Sequence, residues 1–141
     1  MSDKPNPNNE DKVSENDYIE PTLQFCVFCD VVAQGPGNKP TFIGVFDQFL
    51  LPGPIPQFFI ALRWINGLGR HTSTIRLLDP ELNPIYTPPE EQVINLTHRT
   101  NASNTNYGIV NFRFPTSGVY WVEVILNRET YTSIPLPVFG G

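Results

Sequence analysis

Residues that usually carry chemistry are scarce in this chain: among 141 residues there are two histidines, two cysteines and one methionine, and only 16% are charged. His71 and His98 alone cannot build an imidazole cluster, and Cys26-x-x-Cys29 has no second ligand pair, so a structural zinc site is not expected. No apolar run is long enough to span a bilayer, and the first residues lack a basic region followed by an apolar stretch. Neither a membrane segment nor a secretory leader is therefore expected, and a cytoplasmic location is the default. Windows free of helix breakers are also missing. Fifteen Pro and ten Gly spread along the length exclude a helical bundle and a coiled coil. Basic residues are in the minority, nine against fourteen acids, so the phosphate-neutralising patch of a nucleic-acid binder is absent.

What is present is apolar and aromatic. Hydrophobic residues make up 40%, with ten Phe, five Tyr and two Trp, which supplies a core for one domain of this length. The acidity is uneven: residues 1–20 carry six acids against Lys4 and Lys12, while the remainder is close to neutral. Polar, Asn- and Pro-rich and without periodicity, residues 1–20 read as a disordered acidic arm, and residues 21–141 as a single β domain.

From Pro21 onward short apolar runs alternate with turn residues. The pattern predicts strands near 22–32, 42–50, 57–65, 71–78, 91–97, 106–114, 118–126 and 129–138, with no helix. Gly35-Pro36-Gly37-Asn38, Asn66-Gly67-Leu68-Gly69 and Asp79-Pro80-Glu81-Leu82-Asn83-Pro84 are turns. Residues 51–56, Leu-Pro-Gly-Pro-Ile-Pro, fit an extended crossing between two sheets. Connections this short suit antiparallel pairing, and about eight strands make an antiparallel two-sheet sandwich.

The cysteines fall within one of these strands, Leu23 to Val31. Residues three apart in a strand lie on opposite faces and about 10 Å apart, whereas a disulfide needs Cα atoms about 4.4–6.8 Å apart. The two are expected as free thiols, one buried and one on the outer face.

The clearest signature is Phe112-Arg113-Phe114-Pro115-Thr116-Ser117-Gly118-Val119-Tyr120-Trp121-Val122-Glu123-Val124. A turn followed by Gly-x-Tyr at the head of an apolar strand resembles the tyrosine corner of immunoglobulin-like sandwiches. Tyr120, Val122, Val124 and Leu126 then face inward, and by the same alternation Val110, Phe112 and Phe114 do so from the preceding strand. Val119, Trp121, Glu123 and Ile125 point outward, expected to be joined by Tyr107, Ile109, Asn111 and Arg113.

These turn and core positions also carry a resemblance. Phe28-Cys29-Asp30, Thr41 to Asp47, Gly69-Arg70-His71 through Leu78-Asp79-Pro80, Phe114-x-x-x-Gly118-x-Tyr120 and Pro135-Leu136-Pro137-Val138 are similar to a group of short bacterial proteins known only as a domain of unknown function. The resemblance spans about residues 22–138. It implies a β-sandwich and a bacterial source, and transfers no activity; Asn83 stands where that group tends to place Gly after Asp-Pro.

Catalytic motifs do not emerge. Gly-x-Ser-x-Gly, a phosphate loop with Lys-Ser/Thr and His-x-x-x-His are all missing, and Gly67-Leu68-Gly69 joins two strands rather than opening a helix. Asp79, Glu81 and Asn83 alternate oxygen donors without the bidentate Glu of a calcium loop, so a plain turn is expected. Asn95-Leu96-Thr97 and Asn101-Ala102-Ser103 are sequons in an Asn-rich loop, and the closing Gly140-Gly141 is read as a frayed end. The expectation is a non-enzymatic protein-binding or self-assembling sandwich without cofactor or metal. Its interaction face is placed at Tyr107, Ile109, Arg113, Trp121 and Ile125, because Trp, Tyr and Arg dominate interface energies. The alternatives are that the N-terminal arm or a long loop covers this face, that a bulge changes the register, or that the sandwich binds a small ligand or carbohydrate by aromatic stacking.

Overall fold

In the computed structural model, which describes residues 18–50 and 54–140, ten strands form two sheets. They are β1 (Thr22–Gln34), β2 (Pro40–Phe46), β3 (Phe49–Leu50), β4 (Ile55–Ile65), β5 (Gly69–Leu78), β6 (Pro84–Tyr86), β7 (Gln92–Leu96), β8 (Ala102–Phe112), β9 (Gly118–Leu126) and β10 (Glu129–Phe139). One sheet has the order β2-β1-β4-β8, the other β3-β10-β9-β5-β6, with β7 also paired to β5. Every pairing is antiparallel except β3 with β10. The sole helical turn among the described residues is a short 3-10 turn at Pro36–Asn38. No helix among them is long and apolar enough to cross a membrane.

Strict alternation produces the core. Phe58, Ile60, Leu62 and Trp64 of β4 face Ile75 and Leu77 of β5 and Tyr120, Val122, Val124 and Leu126 of β9, all buried. Each fully buried Leu or Ile removes enough apolar surface from water to stabilise the fold by about 1.5–3 kcal/mol. Aromatic rings fill one end: Phe49 lies 4.5 Å from Phe46, 5.0 Å from Phe58 and 5.2 Å from Phe114. The predicted corner is formed. Tyr120 is fully buried, its Oη donates to the Thr116 carbonyl at 2.6 Å and accepts from the Thr116 amide at 3.1 Å.

Two glycines are required by backbone geometry. Gly118 has φ +146°, and a Cβ there would sit 2.6 Å from Cγ of Pro80, so the Asp79-Pro80 turn and the head of β9 are packed ring against backbone. Gly44 has φ +71° and occupies β2 opposite Asp30, whose carboxylate fills the space a side chain would need.

At that kink the β1–β2 hairpin leaves the plane of its sheet. Phe42 is registered with Val32, seven residues beyond Phe25, yet the Phe42 and Phe25 rings are 5.7 Å apart. A straight strand would separate them by about 23 Å, so the hairpin bends back across the outer face of the four-stranded sheet. This arm explains why Cys29 and Ala61, which point outward, are completely buried.

Several expectations are corrected. The run expected as one strand at 42–50 is two strands: β2 in the four-stranded sheet and β3 in the other, with the crossing at Asp47-Gln48. The predicted crossing at 51–56 lies partly outside the described residues, and its end, Ile55 and Pro56, opens β4. β8 begins at Ala102 and takes in the Asn-rich stretch expected as loop. A register shift between Leu23 and Phe25 turns Cys26 toward the core, level with Leu62, and Cys29 outward, where the arm covers it. Both thiols are free.

Candidate functional site

Antiparallel register assembles the outer face of the six-stranded sheet. Trp121 of β9 lies between Leu78 of β5 and Pro135 of β10, Glu123 between Arg76 and Ser133, and Ile125 between Thr74 and Thr130. Arg76 Nη2 is 2.5 Å from Glu123 Oε1, its Nε donates to the same oxygen at 2.7 Å, and Thr130 Oγ1 donates to Glu123 Oε2 at 3.0 Å. With its carboxylate satisfied on both oxygens, Glu123 tolerates burial while Arg76 stays partly in solvent. Trp121 and Ile125 are half-buried, and Val119 at the same end is 42% exposed.

Only part of the expected face is found there. Tyr107 and Ile109 are corrected to core positions: β8 lies in the other sheet, beside β4, and both side chains point between the sheets. Tyr107 Oη donates to Ser73 Oγ across the interior at 3.2 Å. The reason is Asn111, whose φ of +51° breaks the alternation, so Phe112 and Phe114 face inward after it while Tyr107 and Ile109 do so before it. Val110, expected inside, is 63% exposed. Arg113 is exposed beyond the end of β8 and is not a register neighbour of Trp121.

His71, Asp79 and the two cysteines have structural roles. His71, 1% exposed, has Nε2 at 2.8 Å from the Leu68 carbonyl and Nδ1 at 3.0 Å from the Asn127 amide nitrogen. Since that amide can only donate, Nδ1 accepts and Nε2 carries the proton. Asn127 also donates to Tyr18 Oη at 2.8 Å and accepts from the Thr72 amide at 3.0 Å, and the Tyr18 ring lies 4.5 Å from His71. With a bridge between Ile19 and Leu68, this pins residues 18–20 at the end of β5 opposite to Trp121. Asp79 spends one carboxylate oxygen on the amides of Glu81 (2.9 Å) and Asn83 (2.8 Å), the plain turn expected of it. Burial pushes the Cys26 thiol up to about 12 and raises that of Cys29, where the Asp30 carboxylate adds to the effect. Thiols held protonated are poor nucleophiles and poor metal ligands. Among the described residues no three His, Cys, Asp or Glu side chains gather closely enough to hold a metal ion.

Two concavities flank β8. One, of about 300 Å³, lies between the Pro88–Gln92 segment and the Asn106–Gly108 edge. The other, of about 400 Å³, lies beneath the arm: Gln34 and Asn38 of the hairpin face Phe59 of β4 and Asn104 and Asn106 of β8. None of these five residues was expected at a site. The available signal was Asn104 and Asn106 two apart, which places both on one face once the segment is a strand.

Fold and surface define the chain as an all-β two-sheet sandwich with a partly buried Trp121 on one sheet and an open concavity beneath the β1–β2 hairpin on the other. Residues 24–139 match the model of a family described as a family of unknown function, DUF6941, and the chain belongs to that family. No curated protein matches the chain. Among solved structures, a β-glucosidase from Listeria innocua overlays with a TM-score of 0.46 at 10% identity, covering 86% of this chain and 16% of that one. The chain thus spans about a sixth of that enzyme's length.

Proposed function

We propose that this chain is a non-enzymatic protein-binding or self-assembly module of immunoglobulin-like architecture, and that its working surface is the outer face of the six-stranded sheet around Trp121. The observation that carries the reading is the half-buried Trp121 beside exposed Val119, half-buried Ile125 and the solvent-facing guanidinium of Arg76. Trp and Arg are the side chains that contribute most when an interface closes over them. The Tyr120 corner supports the immunoglobulin-like assignment. A non-catalytic role is supported by the use already made of His71, Asp79 and both thiols.

The test is Trp121→Lys, read in two ways. Sedimentation velocity and affinity capture with the purified chain are expected to lose association, while the urea midpoint stays near wild type because the ring already meets water. A large loss of stability with unchanged association would place Trp121 in the fold and remove it from any interface.

A further inference from the structure

We propose that the cavity beneath the β1–β2 arm binds a neutral sugar unit, at a site separate from the Trp121 face. Its lining combines four carboxamides, Gln34, Asn38, Asn104 and Asn106, with the aromatic ring of Phe59 and the apolar underside of the arm at Pro40. A carboxamide both donates and accepts, as a sugar hydroxyl does, and an aromatic side chain suits the C–H face of a pyranose ring. None of the described lining residues is ionisable, and the Arg63 guanidinium beside them is spent on Gln24 Oε1 at 2.9 Å and Asn104 Oδ1 at 3.4 Å, which leaves a neutral lining. The cavity, about 400 Å³, is in the range of small-molecule sites.

A second observation points to a missing partner. Asn106 Oδ1 is buried without a hydrogen bond, although its own backbone carbonyl accepts from Gln92 Nε2 at 2.8 Å. A buried acceptor left unpaired is costly. A half-turn of the terminal amide exchanges Oδ1 and Nδ2, so Asn106 can offer the cavity either an acceptor or a donor. Oδ1 itself is closed to solvent where it stands, so it is this half-turn that would present an acceptor to a ligand hydroxyl in the cavity. Phe59 is held over β8 because Gly108 has no side chain; a Cβ there would sit 2.9 Å from Cε1 of the ring. The bend at Gly44 supplies the roof.

The experiment is a titration of the full chain with D-glucose, D-galactose, N-acetyl-D-glucosamine and D-glucuronate, followed by amide and side-chain NMR shifts. At least one neutral sugar is expected to give saturable shifts confined to the arm, Phe59 and Asn104 to Gly108, with glucuronate weaker. Asn106→Leu should weaken that binding about tenfold, the worth of one hydrogen bond. Asn38→Ala, at the exposed hairpin tip, gives a second readout that does not depend on the sheet, and should also weaken it. Trp121→Lys should leave sugar binding unchanged, so a failure of the protein-interface reading is seen separately. No saturable shift with any neutral sugar, or shifts that persist unaltered in both Asn variants, overturns the proposal.

Discussion

Replacing Tyr120 by Phe removes one oxygen from the middle of the fold and leaves the ring in place. That oxygen makes two hydrogen bonds, at 2.6 Å to the Thr116 carbonyl and 3.1 Å from the Thr116 amide. Each is worth about 0.5–1.5 kcal/mol net, but Thr116 is exposed, so water takes over part of the pairing when the hydroxyl is gone. The expected cost is about 1–2 kcal/mol. For a domain of this size that lowers the thermal midpoint by about 3–7 °C. Urea unfolding followed by tryptophan fluorescence should show a lower midpoint at unchanged slope, since the surface exposed on unfolding is the same. Tyr120→Leu should cost more, because it also loses the ring, which packs edge-on to Phe114 at 4.8 Å. If Tyr120→Phe lies within about 0.3 kcal/mol of wild type, the corner is not a stabilising contact and the reasoning fails.

Three further perturbations test separate parts of the account. Gly118→Ala forces a Cβ against the Pro80 ring at a φ of +146° and should cost about 2 kcal/mol or more by urea unfolding, with part of the loss recovered when Pro80→Ala is added. The Cys26 thiol has its pKa raised from 9.0 to about 12 in the fold, so the stability it contributes is complete below pH 9 and is lost as the pH rises from 9 toward 12; Cys26→Val should flatten that decline in unfolding midpoints. Asn127→Ala removes the amide joining His71, Tyr18 and Thr72 and should free residues 18–20, seen as faster limited proteolysis before Pro21 and a loss of about 1–3 kcal/mol. Unaltered proteolysis would show that Ile19 and Leu68 hold the segment without it.

The inward row Tyr120, Val122, Val124 and Leu126 follows from the sequence because β9 alternates without interruption and begins at a turn with Gly118. The same rule applied to β8 misplaces Tyr107, Ile109 and Val110, since counting backward from Phe114 runs through Asn111, and nothing local marks it as the residue with positive φ. Alternation states which side chains share a face; it does not state which sheet a strand joins. The connection from Phe112 to Gly118 crosses between sheets, so the neighbours of Trp121 are Leu78 and Pro135, which are remote from it in the chain. The cavity was hidden for a related reason: it depends on a bend at Asp30 and Gly44, and a single Gly within a strand pattern signals neither the direction nor the size of a bend.

The most direct test of the Trp121 surface is iodide quenching of tryptophan fluorescence. Trp64 is fully buried and its Nε1 donates to Thr105 Oγ1 at 3.3 Å, so in the free chain quenching should come from Trp121 alone and disappear in Trp121→Phe. It should also fall when a captured partner is bound or when the chain self-associates. Quenching that survives in Trp121→Phe, or that is unchanged in the complex, would contradict the assignment of this face as the working surface.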